Sequence, residues 1–358
     1  MLLYCNSPQI LKLHRSKKSS VKTLVCTRPG QFDYTSTEEP QLTKGHAIIK
    51  IKLIGICGTD LHAFEGTQPF FEYPRILGHE LAGELVAVDD APGFETGEAV
   101  TIIPYFNCGH CIACRMGKPN CCSSIKVCGV HVDGGMAEYL SVPSYALFKA
   151  GGLSFDQLAL LEPLAISAHG VGRASVQRDE NVLVMGAGPI GLGTIEFARI
   201  AGANVIVMDV NENRLQFCKD NLKVQHTINA LSDDVTGQLE SLTNGEMPSV
   251  VIDCTGNLKA INKGFEYLSH GGRYVLIGFQ KGEICFSHPE FHKREATLMS
   301  SRNATGGDFE KVSMALKNKE IDPGTFITHR VHFDEVKDEF IKWLDPANRV
   351  IKAMVEME

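Results

Sequence analysis

The hydrophobic pattern of the chain changes near residue 181, and this change restricts the possible folds more than any other feature of the sequence. From there to about residue 301, short apolar runs alternate with segments of helical character, beginning with NVLVM, PIGLGTIEFARIAGA and NVIVMD. Strands that alternate with crossover helices form a parallel sheet with helices on both faces. The second half of the chain is therefore predicted to be a doubly wound α/β domain.

The chain before about residue 150 has a different pattern. The segment HAIIKIKLIGI (residues 46–56) alternates apolar and polar residues, as a half-buried strand does. The segments LAGELVAV, EAVTII and MAEYLSVP follow it, separated by turns that contain glycine and proline. Many short strands and few helices predict a small, barrel-like β domain. A chain of 358 residues is long enough for both domains.

The first turn of the α/β domain carries the motif GAGPIG, with glycines at 186, 188 and 191. GxGxxG alone is a weak signal, but here it follows a predicted strand and opens a predicted helix. Such glycines let the backbone approach a pyrophosphate at the helix N-terminus. The next strand ends in Asp209, whose carboxylate would accept bonds from a ribose diol and repel a 2′-phosphate. The motif therefore predicts NAD rather than NADP; the alternative is a structural turn beside a solvated Asp209.

The segment NCGHCIACRMGKPNCC (residues 107–122) contains five of the twelve cysteines. Four thiolates from one loop can complete a tetrahedral shell around zinc and leave no position for water, which is typical of a structural site. The predicted ligands are Cys108, Cys111, Cys114 and Cys122. Cys121 remains an alternative to Cys122. A redox-active CxxC is a less favoured alternative, because such motifs usually lie beside a βαβ unit and this loop lies between β segments.

A second group of potential metal ligands is scattered over the segments GICGTDLH, GHE and LEPLAISAHG. The polar residues that these segments supply are Cys57, Thr59, Asp60, His62, His79, Glu80, Glu162 and His169. Taken singly, each residue has an ordinary interpretation, such as a buried cysteine, a core histidine or a helix-capping glutamate. Mixed sulfur, nitrogen and oxygen ligands from separate segments are also what an open catalytic zinc site uses, with water or substrate completing the shell.

Charge and composition argue against several other classes of protein. The net charge of −7 disfavours binding to a nucleic-acid backbone. No run of about 20 apolar residues is available to span a membrane. Many cysteines without an export signal predict a reduced, cytoplasmic protein in which clustered thiols bind metal.

The first 20 residues differ from the rest of the chain. Residues 1–32 contain several basic residues but no Asp or Glu, a composition found in organelle transit peptides. The interpretation that we favour is a disordered extension or a mis-assigned start, with the native protein beginning at Val21.

In combination, GICGTDLH, GHE, the four-cysteine loop and GAGPIG resemble the zinc-dependent medium-chain dehydrogenases, over nearly the whole chain from Val21. EPL, where alcohol dehydrogenases proper have a cysteine, points to the branch of sorbitol, threonine and sugar-acid dehydrogenases. The resemblance implies a GroES-like catalytic domain (residues 21–164 and 304–358) with a structural zinc lobe at about 105–125. It also implies a Rossmann domain (165–303), two zinc ions per chain, and a homodimer or homotetramer.

Three further segments, GTQPFFEYPRILGHE, VCGVHVDGGMAEYLSVP and SHPEFHKREATLMSSRNAT, are similar to members of that branch that oxidise aldonates. They imply oxidation of a secondary alcohol to a ketone with NAD, with L-galactonate converted at C5 to D-tagaturonate. The alternative is a threonine, sorbitol or vicinal-diol dehydrogenase. A remote alternative is a non-enzymatic zinc-ribbon protein that binds nucleic acid, against which the net charge argues.

The resemblance also implies roles for single residues around the metal. Cys57, His79 and Glu80 would bind the catalytic zinc, and Glu162 would be a fourth ligand or hold the metal-bound water. Thr59 would pass on the substrate proton and His62 would relay it towards solvent. Asp60, in the same segment, would orient the ligands.

Cofactor and substrate contacts are implied in the same way. Thr255 and Gly256 would lie near the nicotinamide. The other residues expected to contact the cofactor are Gly186, Gly188, Pro189, Ile190, Gly191, Asp209 and Arg214. Arg302 would bind the substrate, where a planar guanidinium can hold a carboxylate at two points. The alternative for Arg302 is a structural ion pair with Glu162.

Overall fold

The structure is a computed structural model that describes residues 20–69 and 71–358. The expectation of a disordered or mis-assigned segment falls on residues 1–20, and all of these except Ser20 lie outside the described residues. Within the described part, no helix is long and apolar enough to cross a membrane.

The first part of the chain is built mainly from strands, with three short helices. Its strands are β1 (Ser20–Arg28), β2 (Gln31–Glu38), β3 (His46–Gly55), β4 (Arg75–Ile76), β5 (Glu80–Val88), β6 (Ala99–Ile102), β7 (Tyr105–Phe106), β8 (Lys126–Val127), β9 (Tyr139–Pro143) and β10 (Leu147–Phe148). Its helices are α1 (Gly58–Glu65), α2 (Ile112–Arg115) and α3 (Phe155–Ala159).

The second part alternates helices and strands. Its helices are α4 (Leu161–Ala174), α5 (Pro189–Ile200), α6 (Glu212–Leu222), α7 (Val235–Leu242), α8 (Leu258–Gly264), α9 (His288–Lys293), α10 (Gly306–Lys317) and α11 (Val336–Trp343). Its strands are β11 (Asn181–Met185), β12 (Asn204–Asp209), β13 (His226–Asn229), β14 (Val250–Asp253), β15 (Arg273–Leu276), β16 (Thr297–Ser300), β17 (Ile327–His332) and β18 (Lys352–Glu356).

The β-rich part has β3 at its centre, because the alternation of IIKIKLI lets one face of this strand be buried. The main sheet has the strand order β10-β6-β5-β3-β18-β17, and β9 also pairs with β3. A second sheet has the order β2-β1-β4. Hydrogen bonds between the described strands do not close the main sheet into a complete barrel. The last two strands of the chain therefore join a sheet that the first hundred residues begin.

The α/β part contains a six-stranded sheet in the order β13-β12-β11-β14-β15-β16. Every neighbouring pair in it is parallel, as the alternating pattern predicts. The chain proceeds outwards from β11 to β13 and then returns to the other side of β11 with β14. Ligands of doubly wound sheets bind at such a reversal, at the carboxyl ends of the strands. The turn with the glycine motif and the DCTG turn meet at this point.

Two helices connect the parts of the molecule. Helices α4 and α10 pack against each other, and both contribute to the core that also covers one face of the parallel sheet. Helix α4 runs through the expected boundary between residues 164 and 165. The boundaries of the two domains therefore stay a prediction, and α4 provides a rigid link between the sheets.

Candidate active site

Three predicted ligands converge in the β-rich part. The thiol of Cys57, a ring nitrogen of His79 and a carboxylate oxygen of Glu80 lie within 4.8 Å of one another. Cys57 precedes α1, and Glu80 begins β5 with His79 just before it. The register of β3 and β5 pairs Gly55 with Glu80. A Cβ at Gly55 would lie 2.3 Å from the Glu80 carboxylate, so this position requires a glycine.

Glu162 lies beside this cluster, in the first turn of α4, and is 2% exposed. The Tyr105 hydroxyl donates a hydrogen bond to its Oε1. Its Oε2 is buried without a partner, and so is Nδ1 of His79. Unpaired buried polar atoms are costly, and two of them in one acidic and sulfur-containing cluster fit a site for a cation. The donor set of sulfur, nitrogen and oxygen suits zinc.

Asp60 holds two of the ligand segments in place. It is 1% exposed, and its carboxylate accepts hydrogen bonds from the backbone N–H groups of Cys57 (2.9 Å) and Gly78 (3.2 Å). Its Oδ1 also lies 3.7 Å from Nδ1 of His79. One buried carboxylate thus joins the loop that carries Cys57 to the loop that carries His79, and its role in orienting the ligands stays a prediction.

Lys352, the partner of Glu80, was not predicted from the sequence. Its ammonium group is buried, and Nζ donates to both carboxylate oxygens of Glu80 at 2.6 Å and to the carbonyl of Ile56 at 3.1 Å. Lys352 begins β18, far from Glu80 in sequence and without a motif around it. The one signal was a lysine in an otherwise apolar run, and this signal is too common to identify a site.

The buried acidic and basic groups shift one another's pKa values. Burial raises the pKa of Glu162 to about 7, although the charge of His79 opposes this. Burial alone would lower the pKa of His79, but the charges of Asp60 and Cys57 outweigh it and raise the pKa well above its usual value. The acidic groups and the thiol thus stabilise positive charge at His79, as they would stabilise a bound cation.

Thr59 and His62 lie on α1, three residues apart and so on one side of the helix. Thr59 is half-buried and the side chain of His62 is 64% exposed. The two residues, both in the described part of the chain, form no hydrogen bond with each other. His62 instead contacts Glu65 and Thr67. The placement leads from the metal cluster towards solvent, and their role in proton transfer stays a prediction.

The four-cysteine lobe lies apart from this cluster. The thiols of Cys108, Cys111, Cys114 and Cys122 lie within 4.8 Å of one another. The two-stranded sheet of β7 and β8 forms the base of the lobe. Cys121, the alternative ligand, is exposed and does not belong to this group, so the geometry favours Cys122. Four thiols at this spacing fit a closed tetrahedral zinc site.

The turn after β11 has the geometry that a dinucleotide requires. Gly186 has φ +98°, and its N–H donates to the carbonyl of Met208. Gly188 precedes α5, and Pro189 and Ile190 form its first turn. A Cβ at Gly191 would lie 1.8 Å from the carbonyl oxygen of Gly186, so the close contact of helix and turn depends on this glycine.

Asp209 lies at the end of β12 and supports the same turn. Its Oδ2 accepts from the N–H of Ala187 at 2.7 Å and its Oδ1 from the N–H of Asn211 at 2.8 Å. The Arg214 guanidinium lies 4.0 Å from this carboxylate. Because each carboxylate oxygen can accept a second bond, Asp209 retains the capacity to bind a ribose hydroxyl.

The turn after β14 lies on the other side of the reversal. Gly256 has φ +58°, and a Cβ there would lie 2.7 Å from the carbonyl oxygen of Phe279. The Asp253 carboxylate accepts from the Thr255 hydroxyl and from the N–H of Gly256. This turn faces the carboxyl end of β11, as a contact for the inner half of a dinucleotide would.

Arg302 follows β16 and has an exposed side chain. Arg302 and Glu162 are both described, and no ion pair joins them; Glu162 contacts Tyr105 instead. Burial and then the charges of Arg302 and Arg75 lower the pKa of His131. The turn of His131 packs on the ligand segment, since a Cβ at Gly134 would lie 2.4 Å from Gly78 O. The charge of Arg302 thus acts on the turn of His131, and its role in substrate binding stays a prediction.

Comparison with known proteins agrees with this geometry. A family model described as an alcohol dehydrogenase GroES-like domain matches residues 43–152, and one described as a zinc-binding dehydrogenase matches residues 189–318. The chain is 42% identical to L-galactonate-5-dehydrogenase of Escherichia coli K12, over 94% of this chain and 99% of that protein. It is 31% identical to sorbitol dehydrogenase of Halalkalibacterium halodurans, over 88% of this chain and 94% of that protein.

A solved structure shows the same architecture. The alcohol dehydrogenase RspB of Escherichia coli CFT073, complexed with NADH, superimposes with a TM-score of 0.88 at 31% identity, over 95% of this chain and 100% of that chain. The expected GroES-like and Rossmann architecture is confirmed, and so are zinc-type alcohol dehydrogenase activity on a small molecule and use of a nicotinamide cofactor. Sequence motifs, buried ligand cluster and matched relatives lead to one conclusion: the chain belongs to the zinc-binding alcohol dehydrogenase family.

Proposed function

We propose that this enzyme oxidises L-galactonate at C5 to D-tagaturonate with NAD, within a broader range of sugar acids and polyols. The observation that carries the proposal is the buried cluster of Cys57, His79 and Glu80 beside the unpaired oxygen of Glu162. The relative that is 42% identical is named for L-galactonate, which supports the choice of substrate.

Two zinc ions per chain are part of the proposal, since the described residues contain two separate groups with suitable donor atoms. Cys57, His79, Glu80 and Glu162 would hold the catalytic ion and the four-cysteine lobe the structural ion. Zinc at the catalytic position supplies a Lewis acid that stabilises negative charge on the oxygen of the alcohol being oxidised. The remaining steps depend on the protein's own side chains.

The proton of the substrate hydroxyl leaves along α1. Thr59 is half-buried next to the ligand Cys57, and its hydroxyl can accept a proton while it donates its own. His62, one turn further along the helix, is exposed, and its imidazole can accept and donate a proton, so it can pass the proton to solvent. The C–H bond at the same carbon then breaks, and its hydride goes to the nicotinamide.

NAD is the proposed cofactor, because the carboxylate at the end of β12 disfavours a 2′-phosphate. Replacing Asp209 by Ala should lower kcat/KM for NAD by about 10-fold or more, the value of a hydrogen bond to a charged group. The ratio of NAD to NADP activity should fall with it. Asp220→Ala, an exposed acid on α6, should leave the ratio unchanged.

Arg302 is the proposed contact for the sugar-acid carboxylate. Its guanidinium is exposed, its charge reaches His131, and the turn of His131 packs on the segment that carries His79. A guanidinium binds a carboxylate through two parallel hydrogen bonds, which favours an acid over a neutral polyol. Threonine or sorbitol is the second candidate substrate, supported by the 31% identity to a sorbitol dehydrogenase.

We also propose a homodimer or homotetramer. Among the described strands, β16 pairs only with β15, so one edge of the parallel sheet is open. Leu298 on this strand is 38% exposed. An open edge with an apolar side chain is a template for pairing with a second copy.

The substrate proposal is tested by following NADH formation at 340 nm with L-galactonate, L-gulonate, L-idonate, sorbitol, galactitol and L-threonine. The expected result is the highest kcat/KM with L-galactonate. Activity with threonine or a neutral polyol alone, with all three aldonates inert, would contradict the sugar-acid assignment and leave the dehydrogenase class intact.

A further inference from the structure

We infer that Asn120, in the four-cysteine lobe, is a positioning residue for Arg302, so that the lobe contributes to substrate recognition as well as to stability. The inference rests on the proposed contact of Arg302 with the substrate carboxylate. It adds a role for the lobe that a closed structural metal site alone does not provide.

Asn120 makes three contacts outside the lobe. It is 3% exposed, and its Nδ2 donates to the carbonyl of Arg302 at 2.9 Å and to Nε2 of His169 at 3.2 Å. Asn303 donates from its Nδ2 to the backbone carbonyl of Asn120 at 3.1 Å. Both amide hydrogens of Asn120 are thus used, and two of the three contacts hold residues 302 and 303.

The histidine that shares this amide has a fixed orientation. His169 Nδ1 donates to Asp308 Oδ2 at 2.8 Å, which leaves Nε2 as the acceptor for Asn120. Asp308 also accepts from the backbone N–H of Thr305 at 3.0 Å. Burial would raise the pKa of Asp308, but the bonds from His169 and Thr305 outweigh it and lower the pKa, so the carboxylate stays ionised. The network therefore connects Asn120 to α4 and to α10.

Within the lobe, the position of Asn120 follows from the cysteine ligands. Asn120 is the middle residue of the 3₁₀ turn Pro119–Cys121. The N–H of Cys122 donates to the carbonyl of Pro119 at 3.0 Å, and Cys122 is 1% exposed. Its Sγ accepts from the N–H of Cys108. Asn120 lies in the turn that ends at the proposed ligand Cys122. A metal ion bound by the four thiols would therefore also fix the position of the Asn120 side-chain amide.

Arg302 is anchored from the opposite side by the parallel sheet. The preceding residue, Ser301, is 8% exposed and donates its N–H to the carbonyl of Leu276 at 2.8 Å. The Arg302 backbone therefore lies between β15 and the lobe, while its side chain extends into solvent. Removing the amide of Asn120 would take away the hydrogen bond to the Arg302 carbonyl and leave only the bond from Asn303 to the lobe. The Arg302 backbone would be held less tightly, and the guanidinium would lose part of the fixed position that two-point binding requires.

The experiment is a double-mutant cycle between Asn120→Ala and Arg302→Leu, with KM and kcat measured for the aldonate that the substrate assay identifies. Asn120→Ala should raise KM about 10-fold with kcat within about twofold, as for a lost binding contact. Arg302→Leu should raise KM about 100-fold. In the Arg302→Leu background, Asn120→Ala should have no further effect on KM, because the two residues act as a unit.

Tyr145→Phe is the matched control, since it removes a single hydrogen bond to the lobe, from the Tyr145 hydroxyl to the Asn107 carbonyl. It should leave KM unchanged. An additive effect of Asn120→Ala in the Arg302→Leu background, or an equal loss in Tyr145→Phe, would overturn the inference. A fall in kcat with KM unchanged for Asn120→Ala would overturn it too. Unchanged KM in Arg302→Leu would instead refute the proposed substrate contact.

Discussion

The two metal-ligand groups of this enzyme differ in how the chain assembles them. The four-cysteine lobe takes all its ligands from one short segment, residues 108–122, and closes on itself. The proposed catalytic cluster would take its ligands from three separate segments, and it needs the register of β3 and β5 and the position of α4. The first group has four identical donors, whereas the second has mixed donors and buried unpaired atoms.

This difference in ligand origin and ligand type indicates which of the two groups is expected to be reactive. Local ligands of one type satisfy a metal ion completely, and the outcome is stability. Distant ligands of different types leave an open coordination position, and the fold must supply the surrounding charges. Asp60 and Lys352 supply them here, one holding the ligand loops and the other neutralising Glu80. The cysteine segment, although it is the more conspicuous group in the sequence, is therefore expected to be the less reactive of the two.

The largest expected effect separates the two groups by activity. His79→Ala should lower kcat by about 1000-fold or more, because the Lewis acid that stabilises the developing charge is worth several kcal/mol. The melting temperature should change little by comparison, since the lobe is intact. Steady-state NADH formation and differential scanning fluorimetry on the same preparation measure both quantities. If His79→Ala instead unfolded the protein, while the fraction that stayed folded kept its activity, the assignment of catalysis to this cluster would be contradicted.

The second expected effect is a loss of stability with little loss of activity, the reverse of the effect expected for His79→Ala. Cys111→Ser should lower the melting temperature by roughly 10 °C, because loss of a structural metal is among the large single-residue effects on stability. Turnover by the protein that remains folded at low temperature should stay within the same order of magnitude. Ser124→Ala, a neighbour that contacts Cys122 but is no predicted ligand, is the control. A variant that melts normally yet is inactive would assign chemistry to the lobe.

The third and smallest effect concerns the neutralising charge. Lys352→Met should lower the free energy of unfolding by about 3 kcal/mol, because it removes the buried cation that binds both oxygens of the Glu80 carboxylate. Lys52→Met, which removes an ion pair to the exposed Glu358, should have little measurable effect. Urea unfolding of both variants gives the comparison. If the two variants had equal urea midpoints, the ion pair between Lys352 and Glu80 would contribute no more to stability than an exposed ion pair.

The sequence predicted the parts of the molecule that depend on short-range patterns. The parallel sheet follows from strand and helix periods, the glycine turn from GAGPIG, and the lobe from cysteine spacing. The scattered cluster was found through a family resemblance, because no local pattern relates Cys57 to His79. Lys352 was missed, since a lysine that begins a strand is ordinary until β18 lies next to β3.

Two other features depended on tertiary structure in the same way. Tyr105 is bonded to Glu162, but its sequence context shows only the edge of the cysteine segment. Asn120 looks like a turn residue between Pro119 and Cys121, and its three contacts become visible only when α4 and residues 302–303 pack against the lobe. In each case the sequence predicted the metal ligands but not the groups that hold them.

The most direct test of the account is the zinc content of the purified enzyme and of its Cys57→Ala/His79→Ala variant, measured by inductively coupled plasma mass spectrometry. The account predicts two zinc ions per chain in the wild type and one in the variant, with the variant still folded. One zinc ion per chain in the wild type, or loss of both in the variant, would contradict the division into a catalytic and a structural site.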